Sequence, residues 1–277
     1  MTVEQCSYKL NSIQVSEQKM TMLELSRRGS VAVLTLNRPP VNAINDDMGN
    51  AFNRVLDELE AADDWTVLHI RSQGKVFAAG ADLDLIRSWK DAPRPGRALA
   101  GYIDRLQRVY RRIELLPKVT FCEIGGAALG GGFELALSCD LRMVAAEAKI
   151  GLPETGIGLI PGLGGTQRLT RLVGRGIASR VILTAEPVDG ATAERLGLVQ
   201  WSCARDELEE RARAVTNRIA GLPVEALRVA KQCIAAADDD RGQGYTLERE
   251  LGGELLETPR TQELISAFLD KNKAEKG

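Results

Sequence analysis

The chain has 277 residues, of which 44% are hydrophobic and 27% are charged, and its formal net charge is −2. A chain of this length can bury a full hydrophobic core, so we expect one globular domain with an appendage. The near-neutral charge provides no global attraction to nucleic acid or to anionic membranes, which argues against both as partners.

Cysteine usage and the N-terminal segment bear on the cellular compartment. The five cysteines are scattered and form no CxxC pair, so the sequence predicts neither a disulfide framework nor a zinc site and favours a reducing compartment. No apolar run approaches the roughly 20 residues that span a bilayer. Residues 1–21 are polar and lack the features of a signal or transit peptide. We interpret them as a weakly ordered extension or an over-long start, and expect a soluble, cytoplasmic protein.

The first half of the chain contains clear strand and helix patterns. Val31–Leu36 and Val67–Ser72 are β-branched and apolar and are bounded by Gly, Pro or polar residues, so both are predicted to be strands. Residues 46–62 carry apolar side chains three or four positions apart, which predicts an amphipathic helix between these strands. A second helix follows the same rule. Its apolar stripe comprises Leu99, Tyr102, Ile103, Leu106, Val109, Tyr110, Ile113 and Leu116.

Further along, Val119–Ile124 is a predicted strand that leads into a glycine turn, a short helix containing Glu134 and a strand at residues 140–145. Beyond Gly165 the pattern is mostly helical, over residues 167–173, 176–183, 191–196, 206–220, 223–236, 246–257 and 261–271. Strands therefore concentrate in the first half and helices in the second. The one histidine, His69, lies inside a predicted strand, so we expect a packing or edge position, no Ser-His-Asp triad and no histidine metal site.

Three glycine-rich segments are the candidates for chemistry. Residues 77–82 (FAAGAD) follow a buried strand, and small side chains there allow a ligand to approach the backbone. Residues 130–132 (GGG) precede a helix, so their exposed N–H groups and the helix dipole favour an anion. Together these two segments are candidates for the donors of an oxyanion hole. The third, residues 161–166 (PGLGGT), precedes a helix and is expected to pass close beside the pocket.

Two glutamates, Glu134 and Glu154, each follow a glycine-rich turn. A carboxylate pair beside bare backbone N–H groups is suited to moving protons while an enolate is held. Glycine runs also serve close helix packing, however, and Glu134 could cap its helix or pair with an arginine. Any one of these motifs fits that structural interpretation, but three in order with both glutamates fit it poorly.

These residues resemble the enoyl-CoA hydratase/isomerase (crotonase) superfamily from about Met22 to the C-terminus. The resemblance rests on residues 37–44 (NRPPVNAI), 77–82, 128–134 (ALGGGFE), 138–140 (SCD), 152–169 and 267–271 (AFLDK). It implies an α/β fold in which a crotonase-like spiral of ββα units (residues 22–205) is followed by a helical C-terminal region (residues 206–277) used in trimerisation. A homotrimer, or a homohexamer of two trimers, is expected.

The resemblance also implies roles for individual residues. The backbone N–H groups of Ala81 and Gly131 match the oxyanion hole that binds the thioester carbonyl. Glu134 matches the residue that activates water, and Glu154 the residue that protonates C2. Positions implied to contact CoA or substrate are Val41, Ala43, Ala79, Ala81, Asp82, Leu83, Phe268 and Lys271. No metal or redox cofactor is implied, and coenzyme A enters as part of the substrate.

Because both glutamates are present, the resemblance favours an enoyl-CoA hydratase over its relatives. A Δ3,Δ2-enoyl-CoA isomerase or another acyl-CoA enzyme of the superfamily is the alternative, since the same pair could move a proton between C2 and C4. RNA binding, motivated by Arg105, Arg108, Arg111 and Arg112 on one predicted helix, and a non-catalytic role are more remote. Glu123 is unusual before the glycine turn; we expect a subunit contact rather than a third carboxylate near the pocket.

Overall fold

The computed structural model describes residues 22–90, 92–238 and 243–274, so the predicted N-terminal extension, residues 1–21, lies outside the described part. Within that part, strands occur in two sheets. In chain order they are β1 (Leu23–Arg28), β2 (Val31–Leu36), β3 (Val67–Ser72), β4 (Val76–Ala78), β5 (Val119–Ile124), β6 (Ala127–Leu129), β7 (Leu141–Ala145), β8 (Lys149–Gly151), β9 (Val188–Asp189) and β10 (Trp201–Cys203).

The larger sheet has the order β1-β2-β3-β5-β7-β10, and the smaller sheet has the order β4-β6-β8-β9. The chain gives one strand to the larger sheet and the next to the smaller sheet three times in succession, through β3/β4, β5/β6 and β7/β8. Neighbouring strands from different repeats are parallel. This alternation is a spiral, as the resemblance to the crotonase superfamily implies. The central strands are buried on both faces, which explains their nearly continuous apolar sequences.

Helices connect and cover these strands. In chain order the described helices are α1 (Asp46–Glu60), α2 (Leu83–Lys90), α3 (Pro95–Leu115), α4 (Gly131–Leu137), α5 (Gly165–Leu183), α6 (Gly190–Arg195), α7 (Arg205–Ala220), α8 (Val224–Ala235), α9 (Gln243–Glu257) and α10 (Pro259–Ala274). None of the helices in the described ranges is long and apolar enough to cross a bilayer.

Helix α1 shows how the sequence sets these elements. Asn45 precedes it, and its side chain accepts a hydrogen bond from the Met48 N–H at 3.0 Å, which satisfies one of the free donors of the first turn. Phe52 and Leu56 lie on the apolar stripe and are fully buried. The apolar face of the helix packs against α3, so the predicted three-and-four spacing is confirmed as a core-facing stripe.

Helix α5 joins two segments that the sequence predicts separately. Gly174 interrupts it with a non-helical conformation, φ 74° and ψ 164°, between the predicted segments at residues 167–173 and 176–183. A φ in this range is readily adopted only by glycine. The two predicted helices are therefore confirmed as two halves of one element with a kink.

The expectation of a subunit contact for Glu123 is wrong, because its side chain is buried inside its own chain beside His69. Glu123 Oε2 lies 2.9 Å from His69 Nε2, and both side chains are buried. His69 aligns with Phe121 in the β3/β5 register, so Glu123 follows two residues later on the same face. Helix α7 covers this face and pairs with Arg71 through Glu209. His69 is therefore in the packing role that was expected.

Candidate active site

A cavity of about 450 Å³ opens where the three glycine-rich segments meet. The segments come from the end of β4, the start of α4 and the turn before α5, and so from successive turns of the spiral. The lining residues are Ala79, Gly80, Ala81, Ile86, Trp89, Leu99, Tyr102, Ile103, Gly130, Gly131, Glu134, Pro153, Glu154, Ile157, Gly158, Leu159, Ile160, Gly162 and Leu163. Both predicted glutamates thus line one largely apolar cavity.

The two residues whose backbone N–H groups the resemblance assigns to an oxyanion hole, Ala81 and Gly131, both line the cavity. The Ile44 N–H donates to the Gly80 carbonyl, and the Ile44 carbonyl accepts from the Asp82 N–H. Neither of these hydrogen bonds uses the Ala81 N–H. Gly131 is the first residue of α4, so its N–H is one of the helix's unpaired N-terminal donors. A Cβ at Gly80 would come within 3.6 Å of the Gly131 nitrogen, which shows how closely these segments approach.

Two tyrosines on α3 support these donors from behind. The Tyr102 hydroxyl donates to the Ile44 carbonyl at 3.1 Å, and the Tyr110 hydroxyl donates to the Gly131 carbonyl at 2.9 Å. Burial raises the pKa of both phenols, so both remain protonated donors. Sequence reasoning placed these residues in the apolar stripe of α3, and the structure adds their hydrogen bonds.

Glu134 lies on α4 with only 1% of its surface exposed. Its Oε1 accepts hydrogen bonds from the N–H groups of Leu163 and Gly165, each at 2.7 Å. A Cβ on Gly165 would lie 2.8 Å from this oxygen, so a larger residue could not bring its N–H so close without displacement. The third glycine-rich segment therefore holds a catalytic candidate as well as passing beside the pocket.

Glu154 follows Pro153 at the start of a 3₁₀ turn, Pro153–Ile157. Its Oε1 faces Gly130, where a Cβ would lie 2.8 Å away. Its Oε2 is buried and has no hydrogen-bond partner within the described residues. A carboxyl oxygen in this state is costly when charged, which favours the protonated form until a ligand or water supplies a partner.

The electrostatics of the two carboxyls follow from this setting. Burial, followed by the negative charge of Glu154, raises the pKa of Glu134 to about 8, although the Gly165 and Leu163 N–H groups oppose the rise. Burial also raises the pKa of Glu154. Two carboxyls in one dry pocket resist simultaneous ionisation, so near neutral pH the pair is suited to hold one proton between its members. Such a pair can accept one proton and donate another close to neutrality.

The remaining wall of the cavity is apolar. Trp89 is buried and packs on Tyr102 with ring centroids 4.8 Å apart. Ile86, Leu99 and Ile103 extend this surface. A wall of this kind is suited to an aliphatic or aromatic group.

Other residues implied by the resemblance occupy mixed positions. Ala79 lines the cavity, and its N–H donates to the Val41 carbonyl at 3.0 Å. The Ala43 carbonyl accepts from Arg38, whose Nη2 also lies 2.6 Å from the Asp82 carboxylate. Val41, Ala43 and Asp82 thus border the site without lining the cavity. The side chains of Leu83, Phe268 and Lys271 lie outside the described part of the structure.

The four arginines of α3 that suggested RNA binding each have an acidic partner in the same chain. Arg105 pairs with Asp46 on α1, and Arg112 pairs with two acidic residues further along α1. Arg108 and Arg111 pair with acidic residues one turn away on α3. These ion pairs reduce the charge that would attract phosphates, which favours the interpretation of a solvated helix face.

Known proteins share this architecture over nearly the whole chain. The sequence profile of the family described as "Enoyl-CoA hydratase/isomerase" matches residues 26–276. The chain is 36% identical over 254 residues to the short-chain-enoyl-CoA hydratase of Clostridium acetobutylicum, covering 91% of this chain and 95% of that protein.

Solved structures of similar proteins have the same fold. An enoyl-CoA hydratase from Bacillus anthracis superposes with a TM-score of 0.84 at 30% identity, covering 90% of this chain and 96% of that one. Pseudomonas aeruginosa DspI superposes with a TM-score of 0.85 at 33% identity, covering 93% and 97%. The chain has the crotonase fold and belongs to the enoyl-CoA hydratase/isomerase family.

Proposed function

We propose that this protein is an enoyl-CoA hydratase, a lyase that reversibly adds water in syn fashion across the C2=C3 bond of a 2-enoyl-CoA to give a 3-hydroxyacyl-CoA. The observation that carries the proposal is the pair Glu134 and Glu154 in one apolar cavity with two neighbouring backbone donors. The similar protein of Clostridium acetobutylicum, named a short-chain-enoyl-CoA hydratase, supports the same reaction.

The proposed chemistry begins at the thioester. The N–H groups of Ala81 and Gly131 bind its carbonyl oxygen, which draws electron density from C3 and stabilises the enolate that follows. Near neutral pH the proton held by the pair favours Glu134, so the reactive form is the one in which this proton has moved to Glu154. Glu134, then ionised, takes a proton from water while the water oxygen bonds to C3, and the C2=C3 electron pair moves into the thioester. A carboxylate with a pKa of about 8 is basic enough to assist this step.

Glu154 then completes the addition by giving its proton to C2. Its buried, unpartnered Oε2 fits a carboxyl that enters the reaction protonated. The net result is one water added, and the proton now on Glu134 returns the pair to its starting state once it has been passed back to Glu154. The pair titrates as a unit, so the two roles describe the direction of proton movement in hydration.

Further parts of the proposal concern the substrate and assembly. The substrate is an acyl-CoA, with coenzyme A as its carrier and no metal or redox cofactor. We propose a homotrimer or homohexamer, supported by large apolar side chains left exposed on α9 and α10, among them Tyr245 at 82% and Leu256 at 50%. We also propose a cytoplasmic location, which the bacterial relatives support.

The test is the loss of conjugated-thioester absorbance when purified protein meets crotonyl-CoA, with the product identified by mass. Formation of 3-hydroxybutyryl-CoA is expected. A 3-enoyl-CoA is assayed alongside, and migration of its double bond without hydration of crotonyl-CoA would replace the proposal with the isomerase.

Glu134→Gln and Glu154→Gln should each fold and lose about 10²- to 10⁴-fold in kcat, because an amide keeps the shape but cannot transfer the proton. Glu123→Gln is the matched control, since this carboxylate is also buried but pairs with His69 beneath α7. Parent activity in both site variants would refute the assignment of these two residues.

A further inference from the structure

Arg168 connects the third glycine-rich segment to helix α3. Its Nη1 donates to the Leu163 carbonyl at 2.9 Å. Its Nη2 and Nε donate to Glu114 Oε2 at 2.9 and 3.3 Å. Only 11% of the Arg168 side chain is exposed, so this guanidinium is held in a fixed place between two elements.

The Leu163 carbonyl belongs to a short run of backbone in which every peptide unit has a partner. Two of these units aim an N–H at Glu134 Oε1, namely those of Leu163 and Gly165. The carbonyl before Leu163 accepts from Gln107 Nε2 at 2.6 Å, and the Gly164 carbonyl accepts from the Arg168 N–H at 2.8 Å. The Arg168 guanidinium holds the unit between them. The direction of both N–H groups is therefore set by contacts on the opposite side of the backbone.

Gly164 makes this arrangement possible. Its φ is 108°, a conformation that other residues rarely adopt, and a Cβ there would overlap the Arg168 guanidinium. The turn and the arginine are thus mutually dependent. A side chain at residue 164 would either strain the turn or expel the guanidinium from the Leu163 carbonyl.

We infer that Arg168 is a positioning residue for Glu134, because its guanidinium fixes the Leu163 carbonyl and so keeps the Leu163 and Gly165 N–H groups on Oε1. The inference rests on the proposed hydration, in which Glu134 must present its other oxygen to water. The positive charge of Arg168 also opposes the burial that raises the pKa of Glu134. Arg168 therefore acts on the ionised form of the base both through the backbone and through its charge.

If Arg168 only linked α5 to α3 through its ion pair with Glu114, its replacement would affect stability and not the activity of Glu134. Arg111 provides the comparison, because it donates to the same Glu114 oxygen at 2.9 Å from an exposed position on α3. The Leu163 carbonyl is bound by Arg168 and not by Arg111. Removing Arg111 weakens the tie at Glu114 while leaving the contact that orients the two N–H groups.

The experiment compares Arg168→Met with Arg111→Met in the full-length protein, measuring kcat, KM and the pH profile of crotonyl-CoA hydration. For Arg168→Met we expect kcat to fall about ten- to a hundredfold, since small misplacements of a catalytic group cost this much. We expect KM to stay within about twofold and the acidic limb of the profile to move to higher pH. Arg111→Met should stay within about twofold of the parent with an unshifted limb. Parent kcat and an unshifted limb in folded Arg168→Met would overturn the inference.

Arg168→Lys keeps the test decisive if Arg168→Met does not fold. Lysine keeps the charge but lacks the planar fork that reaches Leu163 and Glu114 together. We expect an intermediate loss of kcat with a smaller movement of the acidic limb. Parent kcat in Arg168→Lys would show that the fork does not position the base.

A second readout separates this inference from the proposed function. The ¹³C carboxyl resonance of Glu134, assigned by its absence in Glu134→Gln, is titrated without substrate in the parent and in an Arg168 variant that folds. We expect a higher Glu134 pKa in the variant, because the charge and the fixed N–H groups are lost. An unchanged titration overturns the inference even if the parent hydrates crotonyl-CoA. A shifted titration supports it even if the parent has another activity.

Discussion

Replacing Glu134 by glutamine should change the pH dependence of stability in a defined direction. The ordinary pKa of this carboxyl is 4.5, and burial together with Glu154 raises it to about 8 in the folded protein. Between these values the folded protein holds a proton that the unfolded chain has released, so the stability from this group is complete below pH 4.5 and is lost as pH rises through about 8. The amide of the Glu134→Gln variant would be neutral throughout, and its oxygen can still accept both N–H groups.

The size of the effect follows from the two pKa values. The interval from 4.5 to about 8 corresponds to at most roughly 5 kcal/mol at high pH, since each pKa unit is worth about 1.4 kcal/mol. The charge of Glu154 contributes part of this, so the variant should realise only a fraction. A chain of this size changes by about 2–4 °C in Tm per kcal/mol. The Tm of Glu134→Gln relative to the parent should therefore increase by several degrees as pH rises from about 5 to about 8.5.

Thermal unfolding followed by circular dichroism at half-unit pH steps measures this difference. Glu114→Gln is the matched control, because its dependence has the opposite sign. Burial would raise the pKa of Glu114, but Arg111 and Arg168 outweigh it and the pKa is lowered. The Glu114→Gln variant should therefore be less stable than the parent above pH 4.5. This difference should disappear as pH falls through the lowered pKa of Glu114. A Tm difference for Glu134→Gln that is constant with pH, or that shrinks as pH rises, would refute the reasoning.

Three further predictions concern the frame of the site. Tyr110→Phe should leave the fold intact and lower kcat a few-fold, because the Gly131 carbonyl loses its donor; unchanged steady-state kinetics would contradict this. Trp89→Ala should raise kcat/KM for longer or bulkier enoyl-CoA substrates relative to crotonyl-CoA, and an unchanged ratio across a chain-length series would count against Trp89 as a wall. Gly132→Ala should lower the free energy of unfolding by several kcal/mol or prevent folding, because a Cβ would overlap a β4 carbonyl. Gly176→Ala, at an exposed helix position, should raise it by about 0.5–1 kcal/mol. Similar denaturant midpoints for these two alanine variants would contradict the packing argument.

Regular elements could be predicted from the sequence where pattern and length agree. Strands β2, β3 and β5 are found with the predicted bounds, because a six-residue run that begins with apolar or β-branched residues and is bounded by turn or polar residues indicates a buried strand. The three-residue strands β4, β6 and β8 were not predicted, since so short a segment beside a glycine turn has no period to detect. The pairing of Glu123 with His69 was missed because it depends on strand register, which local sequence does not encode.

The candidate site shows the same division. The glutamates and the glycines around them could be named from the sequence because their residue types state their chemistry. Leu163 could not, since it acts through its backbone N–H and its side chain carries no sign of that role. Arg168 could be predicted only as part of the segment 152–169, because its contact with Glu114 joins residues 54 positions apart. The predicted boundary between core and C-terminal region, at residues 205 and 206, remains a prediction.

The hydrogen bonds from Leu163 and Gly165 to Glu134 also make two amide protons into reporters of the site. The proton of an N–H group that donates to a buried carboxylate exchanges with deuterium only when this hydrogen bond opens. Their exchange rates would therefore give the free energy of local opening at the base, separately from unfolding of the sheets. If the start of α5 opens before the rest of the protein, the proposed base Glu134 would lose its two N–H donors while the fold persists. Heat or denaturant would then lower activity before any change in secondary structure.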